Sequence, residues 1–251
     1  MEFVRPCWSA PERVQGFSTT RHGGVSTGPY RSLNLALHVA DDPDKVAANR
    51  ERLYHAGGLP ARPGWPQQCH GTRAVHAAEL NGHDAIAADA VYTDTPGLVC
   101  AILTADCLPL IVCSRAGDEL AVIHAGWRGL LDGIIERTLA WFTSPPAQMI
   151  AWIGPGISAS AYAVDEAFRA RFLAADPASA AIFSTRDEQL HADLPRLAGM
   201  RFGQAGISRI SRYPGCTYHE SERFFSYRRD GITGRFATCA WIRDAAGPPH
   251  P

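Results

Sequence analysis

Three apolar segments in the middle of the chain constrain its fold most. They are residues 97–106 (GLVCAILTAD), 108–114 (LPLIVCS) and 118–126 (DELAVIHAG). Near-continuous apolar runs of this kind are typical of strands that are covered on both faces, whereas a sheet with one wet face alternates polar and apolar residues. We therefore predict a buried sheet, with Asp106 and Cys107 between the first two strands and His124 at the end of the third.

Helical patterns surround these strands. Residues 43–56 follow the potential caps Asp41 and Asp42, start with Pro43 and stop at two glycines, which predicts a helix. Leucine and isoleucine recur at helical spacing over 127–142. Further helices are predicted over 164–175 and 193–206, the second capped by Asp193. Additional strands are predicted over 149–154, 207–213 and 234–242.

No linker divides these elements, so the pattern predicts one domain of the α/β (or α+β) class, with a central mixed sheet flanked by helices. We take residues 1–251 as that domain, with its core at about 15–243 and a disordered tail over 247–251 (GPPHP).

Composition narrows the function classes. A formal net charge of −1 gives no broad electrostatic case for nucleic acid or an anionic membrane as partner. The start of the chain lacks the pattern of a signal peptide, and no apolar run reaches membrane-spanning length. Seven cysteines without a C-x-x-C pair favour reduced thiols in the cytoplasm over a disulfide framework or a zinc ribbon.

Three residues are candidates for a metal site. His70 precedes a glycine after a predicted short strand, Cys107 interrupts the apolar region, and His124 ends a strand. Two imidazoles and a thiolate suit zinc, with a fourth position left open, as in catalytic sites. Taken one at a time, each is more often an ordinary side chain, because free cysteine commonly behaves as a buried apolar residue. The spacings are long, so the sequence leaves open whether the three side chains converge. Asp106 could orient a histidine or polarise a water, or it could cap a turn.

Basic and polar residues next to glycine-rich turns form a second candidate set. Guanidinium groups beside such turns suit phosphate or carboxylate, although solvated surface arginines give the same pattern. Ser32 and Asn34 alternate with leucines, so both would lie on one strand face, either in a pocket or at a capped strand edge. The candidate substrate-binding residues are Arg21, Ser32, Asn34, Arg128, Tyr227, Arg228 and Arg229, with Arg235 and Trp127 nearby.

Several motifs carry a family resemblance. They are RHGGVSTGPYRSLNL, DDPDKVAANR, CHGTRAV, ADAVYTD, TADCLPL, HAGWRG, GPGIS followed by YAVDE, and SYRRDGITGR. In this order they resemble the bacterial laccase-domain, or multicopper polyphenol oxidoreductase, family, whose later names are purine nucleoside phosphorylase and peptidoglycan-editing factor. The resemblance covers roughly residues 15–243. It implies a single α/β domain similar to toxin-type cysteine hydrolases, and a metal site, usually zinc, at His70, Cys107 and His124.

One position departs from the family pattern. The family commonly has Gln-Val-His-Gly where this chain has Gln68, Cys69, His70 and Gly71. A second thiol beside a ligand histidine would be neutral if it points away from the site. If it points inward, it puts the identity of the metal or its redox sensitivity in doubt.

The resemblance leaves three activities to weigh. Copper-dependent polyphenol oxidation is disfavoured, because none of the ten histidines forms a His-x-His pair and no methionine adjoins the candidate ligands. Zinc-dependent phosphorolysis of adenosine or inosine is the better expectation, with adenosine deamination and methylthioadenosine phosphorolysis as further family activities. Its partners would be a nucleoside and phosphate, and the chain would be a monomer or a small homo-oligomer. Alternatively, Cys107 and His124 would form the nucleophile and base of a hydrolase acting on peptidoglycan precursors.

Overall fold

The computed structural model describes residues 1–80 and 86–244. The predicted tail over 247–251 lies outside this part of the chain. The strands, in chain order, are β1 Phe3–Val4, β2 Val14–Thr19, β3 Ala74–His76, β4 Ala90–Thr93, β5 Val99–Thr104, β6 Leu108–Ser114, β7 Leu120–Ala125, β8 Met149–Ile153, β9 Phe183–Arg186, β10 Gln189–Ala192, β11 Arg209–Arg212 and β12 Phe236–Ile242. The helices are α1 Pro43–Ala56, α2 Trp127–Asp132, α3 Ile134–Leu139, α4 Glu166–Ala175, α5 Leu194–Gln204 and α6 Tyr227–Asp230.

Two large sheets form the centre of the fold. A six-stranded mixed sheet has the order β11-β8-β6-β7-β4-β3, with parallel pairs at both edges. A four-stranded antiparallel sheet has the order β1-β2-β12-β5. The predicted α/β class with a central mixed sheet is therefore confirmed. The antiparallel sheet that is stacked on it was not predicted.

The sheets pack face to face between two helical layers. Side chains alternate along a strand, so successive residues of β5 face opposite layers. Cys100 and Ile102 pack between the two sheets. Ala101 and Leu103 face the other way, in a cluster with Leu53 of α1. The outer face of the mixed sheet packs against apolar side chains of α2 to α5. This four-layer arrangement explains the uninterrupted apolar runs, because β5, β6 and β7 are buried on both faces.

The predicted helix caps are confirmed. The Asp42 carboxylate accepts a hydrogen bond from the Asp44 N–H at 2.9 Å, and Pro43 occupies the first turn of α1. The Asp193 carboxylate accepts from the Arg196 N–H at 2.8 Å at the start of α5. These side chains satisfy N–H groups that have no partner within the first turn of a helix.

Three local expectations were wrong. The segment 127–142 forms two short helices instead of one, because Gly133 adopts a left-handed conformation with φ +88° between them. Residues 32–35 form no strand, and Leu33, Asn34 and Leu35 are all buried in a turn and irregular segment. His70 does not follow a strand; it lies in a loop before β3. Arg228 and Arg229 lie in the helical turn α6.

A hairpin formed by β9 and β10 was not expected. Its turn residues Asp187 and Glu188 have φ values of 47° and 62°, as a type I′ turn requires. The usual Asn-Gly or Asp-Gly signal is missing from this turn. None of the helices among the described residues is long and apolar enough to cross a membrane.

Asn49 on the buried face of α1 holds the preceding loop in place. Its side-chain oxygen accepts from the Val25 N–H at 2.8 Å. Its amide group donates to Ser26 Oγ at 2.9 Å and to the carbonyls of Ser32 and Asn34 at 3.2 and 2.8 Å. Asn49 is fully buried, and among the described residues the Val25 N–H and the Asn34 carbonyl have no other partner. Ser26 Oγ also donates to Asp41, and the Ser32 carbonyl also accepts from the Ser26 N–H.

We expect Asn49→Leu to lower the free energy of unfolding by about 2–3 kcal/mol, because it leaves buried loop groups without partners. Chemical denaturation of the variant and the wild type measures this loss. The exposed neighbour Ala48 provides a control, since Ala48→Ser should change stability by no more than about 0.5 kcal/mol. Equal stability of Asn49→Leu and wild type would contradict the assigned role.

Candidate metal centre and substrate cavity

The antiparallel register of the mixed sheet brings Cys107 and His124 together. Cys107 lies in the turn between β5 and β6, just before β6 begins. In the β6–β7 pair, Leu108 is opposite Ala125 and Pro109 is opposite His124. The thiol and the imidazole therefore meet at one end of the sheet, although 16 positions separate them in sequence.

His70 reaches the same place from a loop that is attached to β5. The side chain of Gln68 pairs with the backbone of Leu103 like a strand, donating to its carbonyl at 2.7 Å and accepting from its N–H at 2.8 Å. His70 itself has φ +60°, and Asp106 beside Cys107 has φ +90°. Non-glycine residues with positive φ are held there by their surroundings and often mark functional sites.

The three predicted ligands form one cluster. Their ligand atoms all lie within 4.8 Å of one another, and no other group of this kind occurs in the described ranges. Cys107 Sγ is 3.7 Å from His70 Nε2, and the two imidazole rings are 4.7 Å apart at 75°. Gly126 leaves room for them, because a Cβ there would lie 2.8 Å from His70 Cδ2 and 3.1 Å from Cys107 Sγ.

A fully buried carboxylate, Asp89, organises this cluster. Its Oδ1 accepts from His124 Nδ1 at 2.8 Å and from the His70 N–H at 2.9 Å. Its Oδ2 accepts from the Gly71 N–H at 2.7 Å. One side chain thus fixes the orientation of His124 and the path of the loop that carries His70. It also leaves Nε2 of His124 as the nitrogen that faces the cluster.

Charges in the cluster stabilise one another. Burial alone would raise the pKa of Asp89, but the hydrogen bond and charge of His124 lower it to about 2. Burial also opposes ionisation of Cys107, yet the charge of His124 and hydrogen bonds from both histidines lower the pKa of the thiol to about 6. The Cys107 thiolate and Asp89 in turn raise the pKa of His124 to about 9 against the effect of burial.

This donor set fits a single transition-metal ion. Zinc–nitrogen and zinc–sulfur bonds of about 2.0–2.1 and 2.3 Å in tetrahedral geometry place nitrogen and sulfur ligands about 3.5 Å apart. The observed separation between Cys107 Sγ and His70 Nε2 is 3.7 Å. The thiol also has the lowered pKa that suits a thiolate ligand. Asp89 supplies the outer hydrogen bond that ligand histidines usually have.

The unusual Cys69 is not part of the cluster. Its side chain is exposed, and its Sγ lies 3.2 Å from Asp89 Oδ2. The hydrogen bond to Asp89 raises the pKa of Cys69, so the thiol is kept protonated and acts as a donor to that carboxylate. Its contact is therefore with the residue behind the ligands and not with the ligand group.

A cavity of about 250 Å³ opens beside the cluster. This volume is slightly below the ~300–1,000 Å³ that is common for small-molecule sites. Its wall combines the two ligands His70 and Cys107 with aromatic, apolar and cationic groups. The other lining residues are Ala105, Asp106, Trp127, Arg128, Ile157, Tyr162, Leu194, Tyr227 and Arg228.

Two arginines at this cavity are stacked on aromatic rings. The Arg128 guanidinium lies 4.5 Å from the Trp127 ring centre and donates no hydrogen bond to another described residue. The Arg228 guanidinium lies 4.6 Å from the Tyr162 ring centre and donates to the Ala163 carbonyl at 2.9 Å. Tyr227, which is 60% exposed, completes this side of the cavity.

The other four predicted substrate-binding residues do not line the cavity. Arg229 donates to the carbonyls of Thr217, Tyr218 and Phe224. Arg21 donates to the carbonyls of Arg31 and Ser221 and stacks on Phe225. Ser32 Oγ donates to the Arg21 carbonyl. The buried Asn34 amide group donates to Asp41 and to the Ala36 carbonyl, and its oxygen accepts from the Ala36 and Arg235 N–H groups. These contacts give the four side chains supporting positions around the site.

Asp106 lines the cavity, but its carboxylate is engaged by protein groups. Its Oδ1 accepts from Thr217 Oγ1 at 2.7 Å. Its Oδ2 accepts from Ser226 Oγ at 3.0 Å and from the Arg228 N–H at 2.7 Å. Asp106 therefore ties the turn that carries Cys107 to the segment that carries Tyr227 and Arg228.

Sequence reasoning missed Asp89 and Tyr162. Both stand in motifs that carried the family resemblance, ADAVYTD and YAVDE. A signal for Asp89 was available, because ligand histidines commonly donate their second ring N–H to a carboxylate. No signal indicated which of the many acids would meet His124, since that depends on the pairing of Ala90 in β4 with Ile123 in β7.

Comparison with known proteins defines the class. Residues 15–243 match the family described as multi-copper polyphenol oxidoreductase laccase. The chain belongs to this family.

Individual relatives agree over the full length. The purine nucleoside phosphorylase YfiH of Escherichia coli is 44% identical over 96% of this chain and 99% of that protein. A purine nucleoside phosphorylase of Pseudomonas aeruginosa is 41% identical, with the same coverage. A crystal structure of a Neisseria meningitidis protein superposes with a TM-score of 0.91 at 41% identity, covering 97% of this chain and all of the other.

We expect Asp89→Asn to weaken metal binding by about 10- to 100-fold, because the side chain that holds His124 and anchors the His70 loop loses its negative charge. Competition with a chromophoric chelator measures the affinity. Asp94→Asn is the matched control, since Asp94 is an exposed acid that contacts His76, away from the cluster. Wild-type affinity in Asp89→Asn would show that the carboxylate does not support the site.

Proposed function

We propose that this chain is a zinc-dependent purine nucleoside phosphorylase that converts inosine or adenosine and phosphate to the free base and ribose 1-phosphate. The observation that carries the proposal is the cavity that places the His-Cys-His cluster beside two arginines stacked on aromatic rings. Relatives named purine nucleoside phosphorylase, 40–44% identical over nearly the whole chain, support the same conclusion.

Each part of the cavity meets a need of phosphorolysis. A phosphate oxygen attacks the sugar carbon that carries the base, the glycosidic bond breaks, and its electron pair leaves with the purine. Arg128 and Arg228 supply fork-shaped donors for a phosphate, and stacking on Trp127 and Tyr162 restricts their movement before it binds. The apolar wall at Ile157 and Leu194 suits the flat, weakly polar surface of a purine.

Zinc is the metal that we propose for His70, Cys107 and His124, because two imidazoles, one thiolate and an open position are typical of catalytic zinc. When bound, zinc would supply a Lewis acid at the edge of the cavity. The neighbouring residues hold its ligands in place: Asp89 orients His124, and Gly126 gives His70 and Cys107 room to converge.

Further activities of the same cavity are proposed for substrates that share the purine nucleoside framework, namely phosphorolysis of methylthioadenosine and deamination of adenosine. We place the protein in the cytoplasm, since its seven cysteines are all free thiols, which suits a reducing compartment.

One observation favours a second function. Asp89, His124 and Cys107 have the order of an orienting acid, a base and a nucleophile, and the pKa of the thiol is lowered. A cysteine hydrolase acting on peptidoglycan precursors would use the same three residues. For copper-dependent polyphenol oxidation the described residues offer a single three-ligand group, whereas a multicopper enzyme needs several.

Phosphate dependence tests the main proposal. Zinc-loaded protein should release hypoxanthine from inosine only when phosphate is present, with ribose 1-phosphate formed in equal amount, because phosphate is the attacking group. Chromatography of base and sugar products over a phosphate titration gives the result. Base release at an unchanged rate without phosphate would indicate hydrolysis and overturn the phosphorylase assignment.

Removal of the thiol tests the ligand set. Cys107→Ala should lose at least 90% of its bound zinc, which corresponds to a ~10-fold or greater loss of affinity, because only two ligands remain. Nucleoside cleavage should be lost together with the zinc. Metal analysis after gel filtration measures zinc content. Cys7→Ala, which alters an exposed cysteine away from the cluster, should retain both properties. Stoichiometric zinc in Cys107→Ala would refute the ligand assignment, and an acyl adduct trapped on Cys107 would support the hydrolase.

A further inference from the structure

Tyr162 contributes a phenol to the cavity wall, and this phenol has an unused hydrogen-bonding group. The residue lines the cavity and is only 9% exposed. Its ring contacts Phe168 and Arg228, but among the described residues its hydroxyl makes no hydrogen bond. Buried tyrosine hydroxyls normally have a partner. A nearly buried hydroxyl without one, in the wall of a cavity, is a group suited to bind a ligand.

The phenol is held in place from several sides. The Tyr162 carbonyl accepts from the Ala192 N–H at 3.1 Å, which attaches this segment to β10. The next carbonyl, that of Ala163, accepts from the Arg228 guanidinium at 2.9 Å. Phe168 of α4 meets the Tyr162 ring edge-on, with the ring centres 6.0 Å apart. The position of the phenol is therefore set before a ligand binds, which lowers the entropy cost of binding.

Two observations place the hydroxyl group on the cavity side of the ring. The oxygen is unpartnered but not enclosed, so it opens onto the space beside the ring. Burial raises the pKa of Tyr162 to about 12, and the charged groups that also influence this pKa all line the cavity: Arg228, Cys107, Arg128 and Asp106. The phenol consequently keeps its proton and can donate a hydrogen bond into the cavity.

The surroundings of this hydroxyl favour an anion. The Arg228 guanidinium lies 4.6 Å from the Tyr162 ring centre, and Arg128 lines the same cavity. Guanidinium groups bind the oxygens of a phosphate through charge-assisted hydrogen bonds. A phosphate has more acceptor sites than the two arginines fill, and a tyrosine O–H supplies a further donor without adding charge.

We propose that Tyr162 is a phosphate-contacting residue, whose hydroxyl donates a hydrogen bond to the phosphate held by Arg128 and Arg228. This inference rests on the proposed function, because it names a third donor for one of the two substrates. It gives the tyrosine two separate roles: the ring face restricts the movement of Arg228, and the hydroxyl binds the anion directly. Tyr162→Phe separates these roles, since phenylalanine keeps the ring and lacks the hydroxyl.

Steady-state kinetics of zinc-loaded protein, with each substrate titrated in turn, test the proposal. Tyr162→Phe should raise KM for phosphate by about 10- to 100-fold, the loss expected for one hydrogen bond to a charged group. KM for inosine, zinc content and the thermal unfolding midpoint should stay at their wild-type values, because the ring and its packing remain.

Tyr54 provides the matched control. Its ring also lies beside an arginine, with the Arg62 guanidinium 4.5 Å from the ring centre. Its hydroxyl likewise makes no hydrogen bond with the described residues, and Tyr54 does not line the cavity. Tyr54→Phe should therefore leave both KM values unchanged.

Calorimetry of phosphate binding without nucleoside adds a second readout and should show the same loss of affinity in Tyr162→Phe. Wild-type phosphate affinity and KM in this variant, or a rise in KM for inosine alone, would overturn the role of Tyr162 while the phosphorylase assignment stands. If wild-type protein cleaves inosine without phosphate, or does not cleave it, the proposed function fails and the role of Tyr162 fails with it.

Discussion

The hydrogen bonds of Asp89 are the interaction on which the site depends. This buried carboxylate accepts from the His124 ring and from the backbone of His70 and Gly71. A buried charge is costly unless it is well paired, and here the pairing also sets the geometry of two ligands. Because its partners come from different parts of the chain, this one side chain converts two separate segments into a single metal-binding group.

The stacked sheets make that convergence possible. β5 belongs to the antiparallel sheet and β6 to the mixed sheet, so the turn that carries Asp106 and Cys107 crosses from one sheet to the other. Such a crossing needs a sharp change of direction, which Asp106 provides with a positive φ. The Asp106 carboxylate is held by hydrogen bonds from Thr217, Ser226 and the Arg228 N–H. The Cys107 turn and the cavity wall are thereby built as one unit.

Local signals predicted much of this structure. The apolar runs predicted β5, β6 and β7, because burial on both faces leaves few polar positions. Capping aspartates predicted the starts of α1 and α5. The break at Gly133 was missed, because glycine is tolerated inside a helical pattern and the apolar spacing continues beyond it. Ser32 and Asn34 were misread because alternation of polar and apolar residues also arises in a loop whose polar side chains bond the backbone.

The sequence by itself determined the α/β class with a central mixed sheet, the starts of α1 and α5, and the candidate ligands His70, Cys107 and His124. These follow from burial patterns, capping residues and the chemistry of residue types. Tertiary structure alone decided that the three ligands meet, that Asp89 is the acid behind them, and which arginines face the cavity. Such contacts depend on strand register and chain crossing, where shifting one strand by a single residue would turn each side chain to the opposite face. Arg228 and Arg229 illustrate the difference: they are adjacent and chemically identical, yet one lines the cavity and the other binds backbone carbonyls.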